Sequence, residues 1–114
     1  MNPRTARKLG GQLQAERVRL LGEVSVTIVA PDSMTYGSQA AAASQVFDQQ
    51  RDLALRDRAI GQLAQVDAAL GRLETGSFGT CLRCLREIAP ARLEALPWAA
   101  HCIECQSALD RGRR

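Results

Sequence analysis

The chain has 114 residues, with Lys+Arg 15 against Asp+Glu 12, a formal net charge of +3 and a pI near 8.9. That is one domain's worth of polypeptide, without an apolar run long enough to cross a membrane. The N-terminal stretch MNPRTARKLGGQLQ has no apolar signal-peptide core, so a cytoplasmic protein with no membrane partner is expected.

Aromatic residues are confined to Trp98, Tyr36, Phe47 and Phe78, while alanine, leucine, arginine and glutamine dominate, a balance that favours helix over sheet. The cationic residues gather at the ends: Arg4, Arg7 and Lys8 in front, Arg111, Arg113 and Arg114 behind. Such ends read either as solubilising tails or as contacts to nucleic acid or an acidic protein.

Residues 4–24 are expected to form a first helix, because Leu9, Leu13, Leu20 and Val24 recur on one face. Gly10 and Gly11 each cost about 1 kcal/mol relative to alanine, which should weaken its start. Residues 25–37, SVTIVAPDSMTYG, read as a loop, since Pro31-Asp32-Ser33 and Gly37 are turn signals.

From Ser38 to Thr75 one long helix is expected, capped by Ser38 and ended by Gly76. Its stripe is read as Val46, Leu53, Ile60, Leu63, Val66, Leu70 and Leu73. At about 1.5 Å per residue it would run to roughly 55 Å, and it needs a partner to cover that stripe. An antiparallel hairpin with the first helix, its tip at 25–37, is the economical solution. A coiled-coil dimer is the alternative, with the monomer favoured.

Cysteine appears only as Cys81-x-x-Cys84 and Cys102-x-x-Cys105, with seventeen residues between the pairs. This spacing fits a four-cysteine zinc site, each pair placing two thiolates on one turn. Two disulfides would need an oxidising compartment, and a thioredoxin-like pair would need a βαβ context that is missing here. His101 abuts Cys102 but is a bystander where four thiols already suffice. One zinc ion held by four protein ligands is structural, with no position left for substrate. With four thiolates on one Zn²⁺, the loaded chain would sit near a net charge of about +1.

Within this module, Pro90 should open a short helix from Ala91 to Leu96, and Pro97 should end it. A last helix should run from Cys102 to about Arg111, closed by Gly112. Leu93 and Trp98 are expected to form the finger's core. The expected fold is mainly α: an antiparallel helical hairpin (coiled coil) over 1–76, with a tip loop near 25–37, then a zinc-finger module with a C-terminal helix over 77–114.

Residues 70–106 resemble the C-terminal zinc finger of the DksA/TraR family of bacterial transcription regulators. The shared elements are Gly76-x-Phe78-Gly79-x-Cys81, Cys84, Ile88, the run Ala91-Arg92-Leu93-Glu94-Ala95-Leu96-Pro97, and Cys102-x-x-Cys105. Tyr36-Gly37-Ser38 through Phe47-Asp48-Gln49-Gln50-Arg51-Asp52-Leu53-Ala54-Leu55 is similar to the shorter, DksA-like members, and the first helix matches in character alone. The resemblance implies a protein that binds RNA polymerase directly, without recognising a DNA sequence. A helical hairpin would enter the secondary channel, and a zinc finger would brace its base and contact the polymerase outside the channel. The best-known member works with the alarmone ppGpp; the features that would carry such dependence are not matched here.

The sequence departs from the family pattern twice. Leu85 stands where a glycine usually follows the second ligand, which predicts a strained turn. The Asp-x-x-Asp-x-Ala motif of the family's tip is also missing from residues 25–48. Counting back from Cys81 places Ser38, Ala41 and Ala43 at the equivalent positions, and the alanine alone is kept. Asp32 is the sole acid of the predicted loop, and serves either as a substitute for the motif or as a turn former after Pro31.

Two other functions compete with polymerase binding. A nucleic-acid-binding zinc module is disfavoured because residues 81–114 carry six arginines and four acids, a poor basic stripe. An oligomeric scaffold would use the long helix. An enzyme fits least, because the single histidine abuts a ligand and no nucleophile has an evident base.

Overall fold

The computed structural model describes residues 1–25 and 39–113. It holds α1 (Pro3–Ser25), α2 (Gln39–Thr75), α3 (Pro90–Ala95) and α4 (Ile103–Gly112). Among the described residues there is no strand beyond one isolated antiparallel bridge between Thr80 and Glu87. The molecule is elongated, 61 × 33 × 20 Å.

α1 and α2 run antiparallel, and a series of contacts fixes their register. Gly10 faces Leu73, Arg17 pairs with Asp67 at 2.7 Å, Gln62 donates to Glu16 at 3.1 Å, and Arg56 donates to the Val24 carbonyl at 3.1 Å. These polar contacts are largely exposed and contribute little individually, about 0–1 kcal/mol each. The burial of Leu9, Leu13 and Leu20, each at most 1% exposed, carries the association.

α1 runs unbroken through both glycines, because tertiary packing outweighs their low propensity. A Cβ on Gly10 would lie 3.4 Å from Leu73 Cδ1, so this glycine lets the helices approach closely; Gly11 faces open space.

The buried face of α2 differs from the expected stripe. Ala59, Val66 and Ala69 are buried, with Leu63, Leu70 and Leu73 partly buried around them. Val46, Leu53 and Ile60 are instead 47%, 43% and 43% exposed. Their seven-residue spacing does put them on one face, but that face is turned roughly 100° from the one led by Ala59, one residue earlier. Alanine at the contact gives a weak hydrophobic signal while permitting close approach.

α2 also outruns its partner. Arg56 lies against the last turn of α1, so the stretch from Gln39 to Leu55 extends about 25 Å beyond it. The expected tip loop, apart from Ser25 at the end of α1, lies outside the described residues, as do Asp32 and Ser38. Ala41 and Ala43 fall in the first turns of α2, and Ala43 is exposed.

The end of α2 follows the expected chemistry. Gly76 takes φ 79°, and the Ser77 N–H reaches back to the Arg72 carbonyl at 2.9 Å, closing the helix. Pro90 occupies the first turn of α3, where its missing N–H costs nothing. Gly112, expected to stop α4, is its last helical residue and lacks the left-handed conformation of Gly76; the cap is Arg113, whose N–H reaches Asp110 at 3.2 Å.

Two substitutions should move stability in opposite directions. Leu13→Ala should destabilise the zinc-loaded protein by about 2–5 kcal/mol through the cavity it leaves. Gly11→Ala should stabilise it by up to about 1 kcal/mol, because nothing obstructs the added methyl. Urea titration followed by circular dichroism at the helix band would measure both.

Candidate metal centre

The cysteines reach one point from two turns of different construction. The first turn follows Gly79, whose φ of 86° turns the chain, and the Cys81 N–H bonds the Arg86 carbonyl at 2.8 Å while Ile88 bonds Gly79 at 2.8 Å. Leu85 N–H closes the turn on the Cys81 carbonyl at 3.0 Å. The second turn opens α4: Cys102 is its N-cap, and its Sγ accepts from the Cys105 N–H at 3.5 Å. A hydrogen bond from Leu82 N–H to the Ala100 carbonyl, 2.9 Å, joins the two turns.

The four Sγ atoms all lie within 4.8 Å of one another, and Cys84 and Cys102 are 3.8 Å apart. A tetrahedron with zinc–sulfur bonds of about 2.3 Å has edges of about 3.8 Å, so the spacing fits such an ion. Cys81 is fully buried, Cys84 exposed, and the others half-buried. His101 is not part of the cluster, in keeping with its expected bystander place.

Without a cation the four sulfurs cannot all ionise. Burial pushes the Cys81 thiol up, but backbone donors at Cys84, Cys102 and Arg83 outweigh it and hold it down at about 5. Its neighbours push Cys105 the other way: the hydrogen bond with Cys102, then burial, then contacts with Cys81 and Cys84 raise it to about 12. One thiolate therefore forms readily and suppresses another. A divalent ion removes that conflict, because coordination deprotonates the thiols outright.

The surrounding core combines expected and unexpected parts. Leu93 is 1% exposed and Trp98 half-buried, as the sequence suggested. Sequence reasoning passed over two arginines that hold the approach to the second cysteine pair. Arg72 donates to the Trp98 carbonyl at 3.4 Å and Arg92 to the His101 carbonyl at 3.0 Å. Burial lowers Arg72 from its ordinary pKa. Arg72 lies 26 residues from Trp98, a separation no local pattern reveals.

The strained turn is present where the glycine is missing. Leu85 has φ 64°, the sole positive value at a non-glycine among the described residues. Its side chain is 76% exposed, so no burial compensates the strain.

A long helical arm with a closed four-thiolate centre at its base defines a helical zinc-finger protein. The Prokaryotic dksA/traR C4-type zinc finger matches residues 76–111. The RNA polymerase-binding transcription factor DksA of Caulobacter vibrioides is 32% identical over 116 residues, covering all of this chain and 82% of that relative. An uncharacterised protein of Aquifex aeolicus is 40% identical over 52 residues, 46% of this chain, and the match spans 36% of that relative's length. The structure of transcription factor DksA2 from Pseudomonas aeruginosa superposes with a TM-score of 0.59 at 27% identity, over 97% of this chain and 79% of that one. The chain belongs to the DksA/TraR family, and its four cysteines are positioned to hold one zinc ion.

At pH 7, zinc binding should release protons, including that of Cys105, and affinity should fall as pH falls because protons and metal compete for the same thiolates. Calorimetry in two buffers of different ionisation enthalpy measures the release; identical heats in both would contradict it. Chelation should unfold residues 77–110 while much of the long helix remains, since structural zinc contributes about 10–16 kcal/mol of apparent binding free energy in small fingers. Circular dichroism and near-UV signals with and without chelator separate the two parts. Leu85→Gly should stabilise the finger by about 0.5–1 kcal/mol by removing the left-handed penalty, read as greater resistance to chelator.

Proposed function

We propose that this protein binds RNA polymerase directly and modulates transcription initiation, with its helical arm entering the secondary channel. It acts as a cytoplasmic regulator rather than as an enzyme, and without reading a DNA sequence. Cys81, Cys84, Cys102 and Cys105 hold a single structural zinc in this reading. Residues 1–76 form the arm and residues 77–114 the finger that braces it.

The observation that carries the proposal is the pairing of a DksA-family zinc finger with an arm whose long helix outruns its partner. The Caulobacter relative, which aligns along the whole chain, is itself an RNA polymerase-binding transcription factor. A centre closed by four protein ligands has no open position for substrate, which supports a non-enzymatic role. The family's paired tip acids are replaced here: Ser38, Ala41 and Ala43 stand at the equivalent places, with Asp32 the nearby acid. We assign the tip, including these residues, to contact with the polymerase interior. Ala41 and Ala43 can contribute shape and backbone alone, which leaves Asp32 and Ser38 as the polar side chains of that set.

Purified core RNA polymerase should retain the zinc-loaded protein in a pull-down, and deletion of residues 29–37 should reduce retention. Equal retention without those residues would refute channel insertion. Salt-sensitive DNA binding without polymerase binding would instead favour a nucleic-acid module.

A further inference from the structure

α2 carries two seams of heptad rhythm, and α1 occupies one of them. Ala59, Leu63, Val66, Leu70 and Leu73 recur in steps of four and three, and all are buried or half-buried in the core that α1 shares. A second series has the same rhythm: Ala43, Val46, Gln50, Leu53, Asp57, Ile60 and Ala64, three heptads over about 32 Å of helix. It lies roughly 130° round α2 from Ala59 and Val66, so α1 covers none of it.

All seven of its residues are exposed, Val46 by 47% and Leu53 and Ile60 by 43% each. Phe47, 70% exposed, borders the series beside Ala54 and Gly61. Between residues 48 and 58 the chain holds six charged side chains, and five of them, Asp48, Arg51, Asp52, Arg56 and Arg58, stand off this seam. A face built for water would carry those charges. This one is kept for contact with another helix.

An exposed seam of this kind fits a helix with matching heptads, and its composition selects which. One charge over three heptads gives no field that would favour an acidic or a basic stranger, but the seam complements itself. Aligned in parallel, two copies would set Asp57 against Asp57, and like charges side by side repel. Aligned antiparallel about Leu53, Val46 meets Ile60 of the second copy and Leu53 meets Leu53. Asp57 then falls beside Gln50 of the second copy, whose amide donates to a carboxylate.

We propose that residues 43–64 of α2 are a self-association surface, on which a second copy of this chain docks antiparallel about a two-fold axis at Leu53. Gln50 and Asp57 fix the orientation and keep the pair weak, as polar residues in a coiled-coil seam do. The dimer is therefore reversible, and it forms as concentration rises. The inference stands apart from the polymerase reading; where both hold, an arm paired in this way is withheld from the channel.

The test is sedimentation equilibrium of the zinc-loaded full chain from micromolar to millimolar concentration, with circular dichroism confirming that each variant folds. The wild-type mass should rise towards that of a dimer. Leu53→Asp should weaken association about tenfold or more, since it removes the central apolar pair and apposes two carboxylates. Gln50→Arg should tighten it several-fold, because the added guanidinium meets Asp57 of the second copy. A parallel pair would set the two added guanidiniums together, so weaker association in Gln50→Arg would overturn the antiparallel docking. A wild-type chain that stays monomeric at millimolar concentration would overturn the surface itself, as would a dimer that Leu53→Asp leaves unchanged. A large fall in the urea midpoint of monomeric Leu53→Asp would overturn it too, by showing that another part of the same chain covers the seam.

Discussion

Four sulfurs brought within 4.8 Å set the terms for the C-terminal part of the molecule. A group that close cannot carry four negative charges unaided. The opposed behaviour of Cys81, held near 5, and Cys105, pushed to about 12, expresses that conflict. Zinc converts mutual suppression into shared attraction, which lets two short turns and two short helices hold one geometry. The apolar core there is small, with Phe78, Ile88, Leu93 and Ala99 as its main buried hydrophobic members. The metal therefore takes the place of the larger core that so short a segment cannot build.

The finger is also joined to the arm by more than chain continuity. Gly76 turns the chain directly from α2 into the finger, and the Arg72 carbonyl accepts from both Ser77 and Phe78. The side chain of the same arginine reaches Trp98, just before the second cysteine pair. On the other side, Met1 Cε lies 2.9 Å from where a Cβ on Gly79 would stand, and Leu93 packs behind it. The start of α1 and the end of α2 both meet the module. Ordering the metal centre consequently orders the direction in which the arm projects.

Much of this was legible in the sequence where local chemistry dictates local structure. The paired cysteines, Gly76 after α2 and Pro90 at α3 each have a single-residue reason that survives in the fold. The helical face of α2 was legible over Leu63, Val66, Leu70 and Leu73 but not before them, for an equally physical reason: Val46 and Leu53 lie beyond the end of α1, and at Ile60 close helix packing takes the neighbouring Ala59 instead. The bracing by Arg72 and Arg92 depends on contacts across 26 and 9 residues, which periodicity does not encode. Leu85 lies between these cases: the missing glycine was visible in the sequence, whereas the exposure of the leucine required the structure.

Two departures from the family pattern fall at opposite ends of the molecule. At the far end, alanines at 41 and 43 offer little chemistry beyond shape, and a paired acidic motif is gone. At the base, a leucine replaces a conformationally free glycine and presents its side chain to solvent. On the polymerase reading, a tip with Asp32 as its one acid has fewer charged contacts to make deep in a channel than one with a paired acidic motif. The zinc clasp holds the strained leucine at the base in place, since the Leu85 N–H closes on the Cys81 carbonyl and Cys81 and Cys84 meet the other two sulfurs.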